Sequence, residues 1–123
     1  MTEPESIQEL FKQLLNRPVV QFPPSRGRLQ APTCKGVYII RDTTGRVFHV
    51  GDTPRGKSGL HARLKSHLAG KSSFVRIHLK GDYLVLRSGC TFQCIEVVSA
   101  RTRALLEAYA IGRLCPAHIG SGE

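Results

Sequence analysis

The sequence predicts a mixed α+β domain in which a small central antiparallel sheet is flanked by helices. Short apolar runs rich in β-branched and aromatic residues indicate strands, and segments with apolar residues at helical spacing indicate helices. The segments follow one another as strand, strand, helix, a mixed stretch, strand and helix. At 123 residues, the chain has room for one such domain.

The first 32 residues are predicted to form a short helix followed by an extended arm. Apolar residues recur at helical spacing over residues 6–16. Arg17-Pro18 ends this helix, because proline disfavours a helical conformation in the residue before it. Residues 19–32 contain three further prolines. We therefore expect this arm to lie against the domain formed by residues 33–120.

A β-hairpin is predicted to follow the arm. Residues 36–41 and 46–50 are two short runs with apolar, aromatic and β-branched side chains. The Asp-Thr-Thr-Gly sequence at 42–45 between them is typical of a turn. A loop containing glycine and proline then leads away from the second strand at residues 51–56.

The rest of the chain is predicted to contain two helices and a further strand. Ser58 is a candidate cap for a helix that stops at Gly70. Residues 74–79 fit either a strand or a helical turn, and residues 83–86 resemble a strand. Residues 92–98 form a clearer strand, and Ser99 precedes a helix over residues 100–114 that Pro116 ends.

Positive charge is concentrated in one part of the chain. The formal net charge is +9, and the segment from Lys35 to Lys80 holds ten Lys or Arg against two acidic residues. Such a field attracts polyanions, so we expect nucleic acid as the partner. The alternative is a solvated basic surface. A membrane partner is not expected, because no basic amphipathic helix with bulky apolar anchors is evident.

The sequence also indicates the compartment and the state of the cysteines. It contains no apolar run of the length that crosses a bilayer, and residues 1–9 do not resemble a secretory signal or a transit peptide. We therefore expect a cytoplasmic protein. The four cysteines lack the paired spacing of a structural zinc site, so free thiols are expected.

Tyr38 and His49 lie on the two strands of the predicted hairpin. A phenol and an imidazole held close together make a proton-transfer pair, since both donate and accept hydrogen bonds. The flanking Gly36 and Gly51 would let another backbone or a ligand approach closely. Taken alone, a tyrosine in a strand is usually explained by ordinary packing in the core or at the edge of a sheet.

Three further residues are candidates for chemistry on phosphate. Arg63 and His67 are four apart in the first core helix and share one side of it. A guanidinium suits a phosphate, although both residues also fit an amphipathic surface. Glu107 falls among apolar helix residues, and a buried carboxylate needs a partner. That partner is either Arg103, one turn earlier, or a divalent cation such as Mg²⁺.

These residues resemble the motifs of the GIY-YIG nuclease superfamily. Gly36-Val37-Tyr38 is similar to the first motif, and His49-Val50-Gly51 stands at the place of the second. The helix with Arg63 and His67 resembles the first core helix of the family, and Glu107 falls where the family carries its metal-binding glutamate. The chain has His49 where the family usually has tyrosine, and His118 near the usual asparagine.

The resemblance implies a GIY-YIG-like fold and a metal-dependent endonuclease that hydrolyses DNA phosphodiesters with Mg²⁺ or Mn²⁺. Tyr38 would be the general base, with His49 sharing that work, and Arg63 would hold the scissile phosphate. His67 would orient the phosphate or Tyr38, Glu107 would bind the metal, and His118 would support the metal side. The residues expected to track the DNA backbone are Arg55, Lys57, Lys65 and Lys71.

Two questions about partners follow from the chain length. A chain this short has no room for a separate DNA-recognition domain, so specificity would come from the arm, the loops, a homodimer or a partner protein. Cleavage of both strands would require two protomers or two visits. The rival interpretation is a non-catalytic module that binds DNA or RNA on the same fold, and a more remote one is a scaffold domain.

Overall fold

The sheet has four strands, and all its pairings are antiparallel. The computed structural model of the protein describes residues 1–24, 27–54 and 57–119. In chain order its elements are α1 (Glu3–Leu15), β1 (Val20–Gln21), β2 (Gly36–Arg41), β3 (Val47–Asp52), α2 (Leu60–Leu68), a π-helical turn (Phe74–His78), α3 (Leu84–Arg87), β4 (Thr91–Glu96) and α4 (Ala100–Leu114). The predicted mixed α+β class is confirmed.

Helices cover both faces of the sheet, which has the strand order β1-β4-β2-β3. Alternate residues of a strand point to opposite faces. Tyr38 and Ile40 of β2 therefore belong to a core formed with α2, the π-helical turn and α3. Val37 and Ile39 point the other way, into a core formed with α1 and α4. The result is three layers, with β3 at one edge of the middle layer.

The predicted hairpin is confirmed, with Tyr38 of β2 directly opposite Gly51 of β3. The carboxylate of Asp42 organises the turn, since it accepts hydrogen bonds from the backbone N–H groups of Thr44 and Arg46, each at 2.9 Å. Gly45 takes a φ of +90°, which glycine adopts without strain. Local turn chemistry therefore brings β2 and β3 into register.

The first helix begins earlier than residue 6. Thr2 forms a capping box with Glu5, in which each side chain binds the backbone of the other residue, and a proline stands in the first turn. The buried residues Ile7, Phe11 and Leu14 join the core under α4, so α1 packs against the main domain. In the arm, β1 pairs with β4 at the other edge of the sheet.

Ser58 does not cap α2, so that prediction is wrong. Gly59 is the N-cap residue, and no side chain makes a capping hydrogen bond there. The first N–H groups of the helix bind carbonyls of the arm instead: Leu60 donates to Cys34 and His61 to Pro32, each at 2.8 Å. The arm thus replaces a capping side chain.

Residues 83–86 were predicted to form a strand, and this prediction is wrong. Phe74–His78 forms a π-helical turn, and Leu84–Arg87 forms the short α3. Lys80 and Gly81, with φ values of 54° and 83°, reverse the chain between them. Apolar content indicated burial here, but the chain reversal leaves Leu84 exposed.

The last strand and helix agree closely with the prediction. The strand ends at Glu96 because the next two carbonyls, of Val97 and Val98, accept hydrogen bonds from the Arg103 guanidinium. Ser99 caps α4 by accepting from the N–H of Thr102. None of the helices in the described ranges has the length and apolar character needed to cross a membrane.

We predict that Gly59→Ala lowers the free energy of unfolding by about 2 kcal/mol or more. A methyl group at this position would collide with the carbonyl of Thr33, which belongs to the backbone and cannot rotate away. The control is Gly112→Ala, because a methyl group there meets open space in a helix, and we expect a gain of up to about 1 kcal/mol. Urea unfolding measures both; equal effects would contradict the packing of the arm on α2.

Candidate active site

The Tyr38 side chain lies across Gly51 at the edge strand β3. A Cβ atom on residue 51 would collide with the phenol ring and hydroxyl of Tyr38. Glycine therefore creates the space through which the phenol extends across β3. The Tyr38 side chain has no exposed surface. The two motif residues that the sequence placed on paired strands are thus in direct contact, and one makes room for the other.

The Tyr38 hydroxyl is the end of a buried hydrogen-bonded chain. It lies 2.7 Å from Nε2 of His67, on α2. The other ring nitrogen, Nδ1, lies 2.6 Å from the hydroxyl of Ser72, in the loop after α2. The Ser72 hydroxyl also accepts a hydrogen bond from the N–H of Val75, at 3.3 Å. His67 and Ser72 are both buried. Packing and hydrogen bonds therefore fix the orientation of the imidazole.

Two buried hydroxyls share the single proton of the neutral His67 ring. Tyr38 lies at Nε2 and Ser72 at Nδ1, and the ring donates to one hydroxyl and accepts from the other. With Ser72 as the donor to Nδ1, the ring proton lies on Nε2, and His67 is a hydrogen-bond donor to the Tyr38 oxygen.

His67 stays neutral across the physiological range. Burial lowers its pKa to about 2, with further lowering from His49, Arg63 and His118. An imidazole with so low a pKa does not hold a second proton at pH 7. His67 therefore orients the phenol and supplies a hydrogen bond to it.

His49 is also neutral and is held in an aromatic cluster. Its ring stacks on Phe74 with centroids 4.8 Å apart, and its Nδ1 lies 3.3 Å from Nδ1 of His118. Burial, followed by the charges of His118 and Arg63, lowers the pKa of His49 to about 3. His118 lies against His49 and Phe74, on the imidazole side of the site.

The charge of Arg63, on α2, changes the pKa values of the side chains around it. Its charge and a hydrogen bond from it lower the pKa of Tyr38, although burial has the larger effect and raises that pKa overall. The same guanidinium acts on the pKa of four other side chains, namely His49, His67, Asp52 and Glu107. Arg63 therefore lies among the phenol, the imidazoles and the carboxylates.

Glu107 of α4 shares the site with a second carboxylate. Burial, and after it the charge of Asp52 at the end of β3, raises its pKa to about 7. A hydrogen bond from the Asp52 backbone N–H and the charge of Arg63 oppose this shift. Burial likewise raises the pKa of the Asp52 carboxyl. Asp52 and Glu107 are half-buried and their carboxylates repel each other, so a cation between them would stabilise both charges.

Arg103 does not neutralise Glu107. Its guanidinium donates to the carbonyls of Val97 and Val98, at 3.0 and 2.7 Å, and its charge acts on Asp52. Within residues 1–24, 27–54 and 57–119, the only ion pair joins Arg101 to Glu3. These contacts therefore do not support Arg103 as the partner of the Glu107 carboxylate.

The carboxylates fit a hard divalent cation. Mg²⁺ is typically bound through one or two carboxylates, with water and substrate phosphate completing its shell. Glu107 and Asp52 supply that number of protein ligands, and burial together with their mutual repulsion raises the pKa of Glu107. In the described part of the chain, no group of three or more His, Cys, Asp or Glu side chains is arranged to hold a metal.

Three of the four predicted backbone-tracking residues lie in the described part of the chain. The side chains of Lys57, Lys65 and Lys71 are exposed. Arg55 lies outside the described residues. The Nζ of Lys35 donates to the carbonyls at 54 and 58, so it holds the two ends of the loop that contains Arg55.

Two residues of the site were missed from the sequence. Asp52 follows the second motif directly, so a carboxylate next to a candidate site was a usable signal. Ser72 stands in a polar loop and has no motif around it. Its role depends on the way the π-helical turn folds back on α2, which sequence spacing does not encode.

No family model, curated protein or solved structure matches this chain. The resemblance to the GIY-YIG superfamily therefore rests on the residues quoted for it.

We predict that His67 in the folded protein is protonated on Nε2 and not on Nδ1. Long-range ¹H–¹⁵N NMR of the imidazole distinguishes the two tautomers. In Ser72→Ala the donor to Nδ1 is lost, so we expect a mixture of tautomers and a loss of stability of about 1 kcal/mol. The neighbouring Ser73→Ala is the control, since Ser73 makes no side-chain capping bond. A parent protein with Nδ1–H would overturn the role given to Ser72.

We predict that Glu107→Gln stabilises the metal-free protein at pH 8. The folded state holds the Glu107 proton more tightly than the unfolded chain, so its contribution to stability falls as the pH rises from about 4.5 to about 7. Allowing for solvent screening of a half-buried group, the gain at pH 8 is about 1–2 kcal/mol. It should disappear near pH 4.5.

Thermal unfolding in EDTA at pH 8 and pH 4.5 measures this effect. Glu9→Gln, on an exposed carboxylate of α1, is the control and should change stability little at either pH. A Glu107→Gln protein that is less stable than the parent at pH 8 would show that a cationic partner already balances the carboxylate.

Proposed function

We propose that the protein is a metal-dependent endonuclease of the GIY-YIG type that hydrolyses DNA phosphodiester bonds. One observation supports this most strongly: Arg63 of α2 acts on the pKa of both the Tyr38 phenol of β2 and the Glu107 carboxylate of α4. A phosphate group bound by Arg63 would have a proton acceptor on one side and a cation site on the other.

Arg63 is proposed to bind the scissile phosphate. Its charge faces neutral imidazoles on one side and carboxylates on the other, and its side chain is half-buried. A guanidinium binds two phosphate oxygens at once and stabilises the charge that builds up on them during attack. Lysine would supply the charge without the planar pair of donors.

Tyr38 is proposed to accept the proton of the attacking water. Its oxygen is hydrogen-bonded to His67 and to Arg63. The Arg63 guanidinium, and an Nε2–H of His67, would both stabilise the phenolate form. Burial acts in the opposite direction, and the hydroxyl is covered in the substrate-free protein. The role therefore requires the substrate to displace the groups over the hydroxyl and to strengthen the positive field around it.

His49 has a different proposed role from the one that its ordinary pKa suggested. An imidazole whose pKa is about 3 is a weak base and stays unprotonated at pH 7. Its stacking on Phe74 and its contact with His118 fix the wall of the site beside Tyr38. We assign His49 to positioning, and general-base chemistry to Tyr38.

Glu107 is proposed to hold the Mg²⁺ or Mn²⁺ ion, with Asp52 beside it. When bound, the cation acts as a Lewis acid that stabilises the leaving oxygen. Glu107 must lose its proton to bind the ion, so loading at limiting Mg²⁺ rises with pH through about 7. One such site cuts one strand, so a double-strand break takes two protomers or two binding events.

We predict that the protein nicks supercoiled plasmid in Mg²⁺ or Mn²⁺ and not in EDTA. Glu107→Gln and Tyr38→Phe should each reduce the rate at least a hundredfold, because they remove the cation ligand and the proton acceptor. At limiting Mg²⁺ the parent rate should rise as the pH increases from 6 to 8. Conversion of supercoiled to open-circular DNA on agarose gels gives the rates.

Matched controls identify the source of the cleavage. Tyr83→Phe and Glu9→Gln make the same chemical changes on exposed side chains and should cut at the parent rate. Equal cutting by all variants would assign the activity to a contaminant and refute the proposal. Salt-sensitive DNA binding without cutting under any metal condition would instead support the non-catalytic binding module.

A further inference from the structure

A basic cavity lies on the edge of α2 opposite to Arg63. It has a volume of about 530 Å³, and four of its lining side chains are Arg28, His61, Lys65 and Arg87. These come from the arm, α2 and α3, and none of the described residues that line the cavity is acidic. Cavities elsewhere on the surface do include carboxylates, such as Asp52 or Glu96. Three cations brought together without a described carboxylate form a site for an anion.

The floor and the rim of the cavity differ in chemistry. Leu29 and Leu68 belong to the hydrophobic core and supply an apolar floor. Arg87 is half-buried, and its Nη1 donates to the carbonyl of Pro23 at 3.1 Å, which limits the orientations of its guanidinium. An apolar floor beside oriented cations suits a phosphate that carries a sugar or a base, more than a bare inorganic ion.

We infer that this cavity binds a phosphodiester of the DNA strand at a second position, outside the cleavage site. Lys65 and His61 lie on one edge of α2, and Arg63 and His67 lie on the other, as their spacing in a helix requires. A helix with side chains is about 10–12 Å wide. At ~3.4 Å per nucleotide, a strand that crosses α2 reaches from Arg63 to the cavity in about three nucleotides.

This subsite would fix the position of the strand relative to the cleavage site. The cavity includes the arm residue Arg28, so the arm contributes to substrate binding as well as to the capping of α2. The inference rests on the proposed function for the identity of the polymer as DNA. The position of the anion site itself depends only on the residues that line the cavity.

The test measures binding of a fluorescein-labelled 20-base-pair DNA duplex in EDTA, so that no cleavage takes place. In Arg28→Gln/Lys65→Gln we expect the Kd to rise at least tenfold at low salt. The slope of log Kd against log salt concentration should fall by about 1.8, because two phosphate contacts are lost. Both residues are exposed, so the fold should be unchanged, and an ¹H–¹⁵N spectrum verifies it.

The matched control is Lys12→Gln/Arg46→Gln, which removes the same charge from exposed positions on α1 and the hairpin. We expect its Kd to change less than threefold. Equal changes in the two double variants would overturn the subsite, since the effect would then come from net charge alone. A specific effect at the cavity in a protein that fails to nick plasmid would refute the nuclease and keep the subsite.

Discussion

The contact of the Tyr38 phenol with Gly51 is the constraint on which the site depends. The phenol reaches across the edge strand only because residue 51 has no side chain. From there its oxygen meets His67, whose ring is fixed in turn by Ser72. A methyl group on residue 51 would displace the phenol and break this chain of hydrogen bonds. The register of one hairpin thus determines where the chemistry can take place.

Electrostatics divides the site into two sides that meet at Arg63. On the α2 side, burial keeps His49 and His67 neutral, so they orient other groups and leave the positive charge to Arg63. On the α4 side, Asp52 and Glu107 repel each other, and Glu107 retains its proton up to about pH 7. This arrangement costs stability in the metal-free protein. Under the proposed function, the cost would be reversed when a cation and a phosphate enter together.

The α2 helix connects the fold to the binding of substrate. Its buried face packs on the sheet, one edge carries Arg63, and the other edge lines the basic cavity. The arm caps its first turn through the carbonyls of Pro32 and Cys34 and contributes Arg28 to the cavity. The segment before the hairpin is therefore a structural part of the domain, and its removal would affect both the helix and the surface proposed for DNA.

Local chemistry in the sequence determined the hairpin, the cap of α4 and the motif residues, because turns, caps and strand spacing act over a few residues. Only the tertiary structure decided the start of α2, where arm carbonyls replace Ser58, and the helical path of residues 83–86. It also decided the ionisation of the site. The low pKa of His49 and the raised pKa of Glu107 both arise from burial and from groups distant in sequence. Their environment exists only once the three layers have packed together.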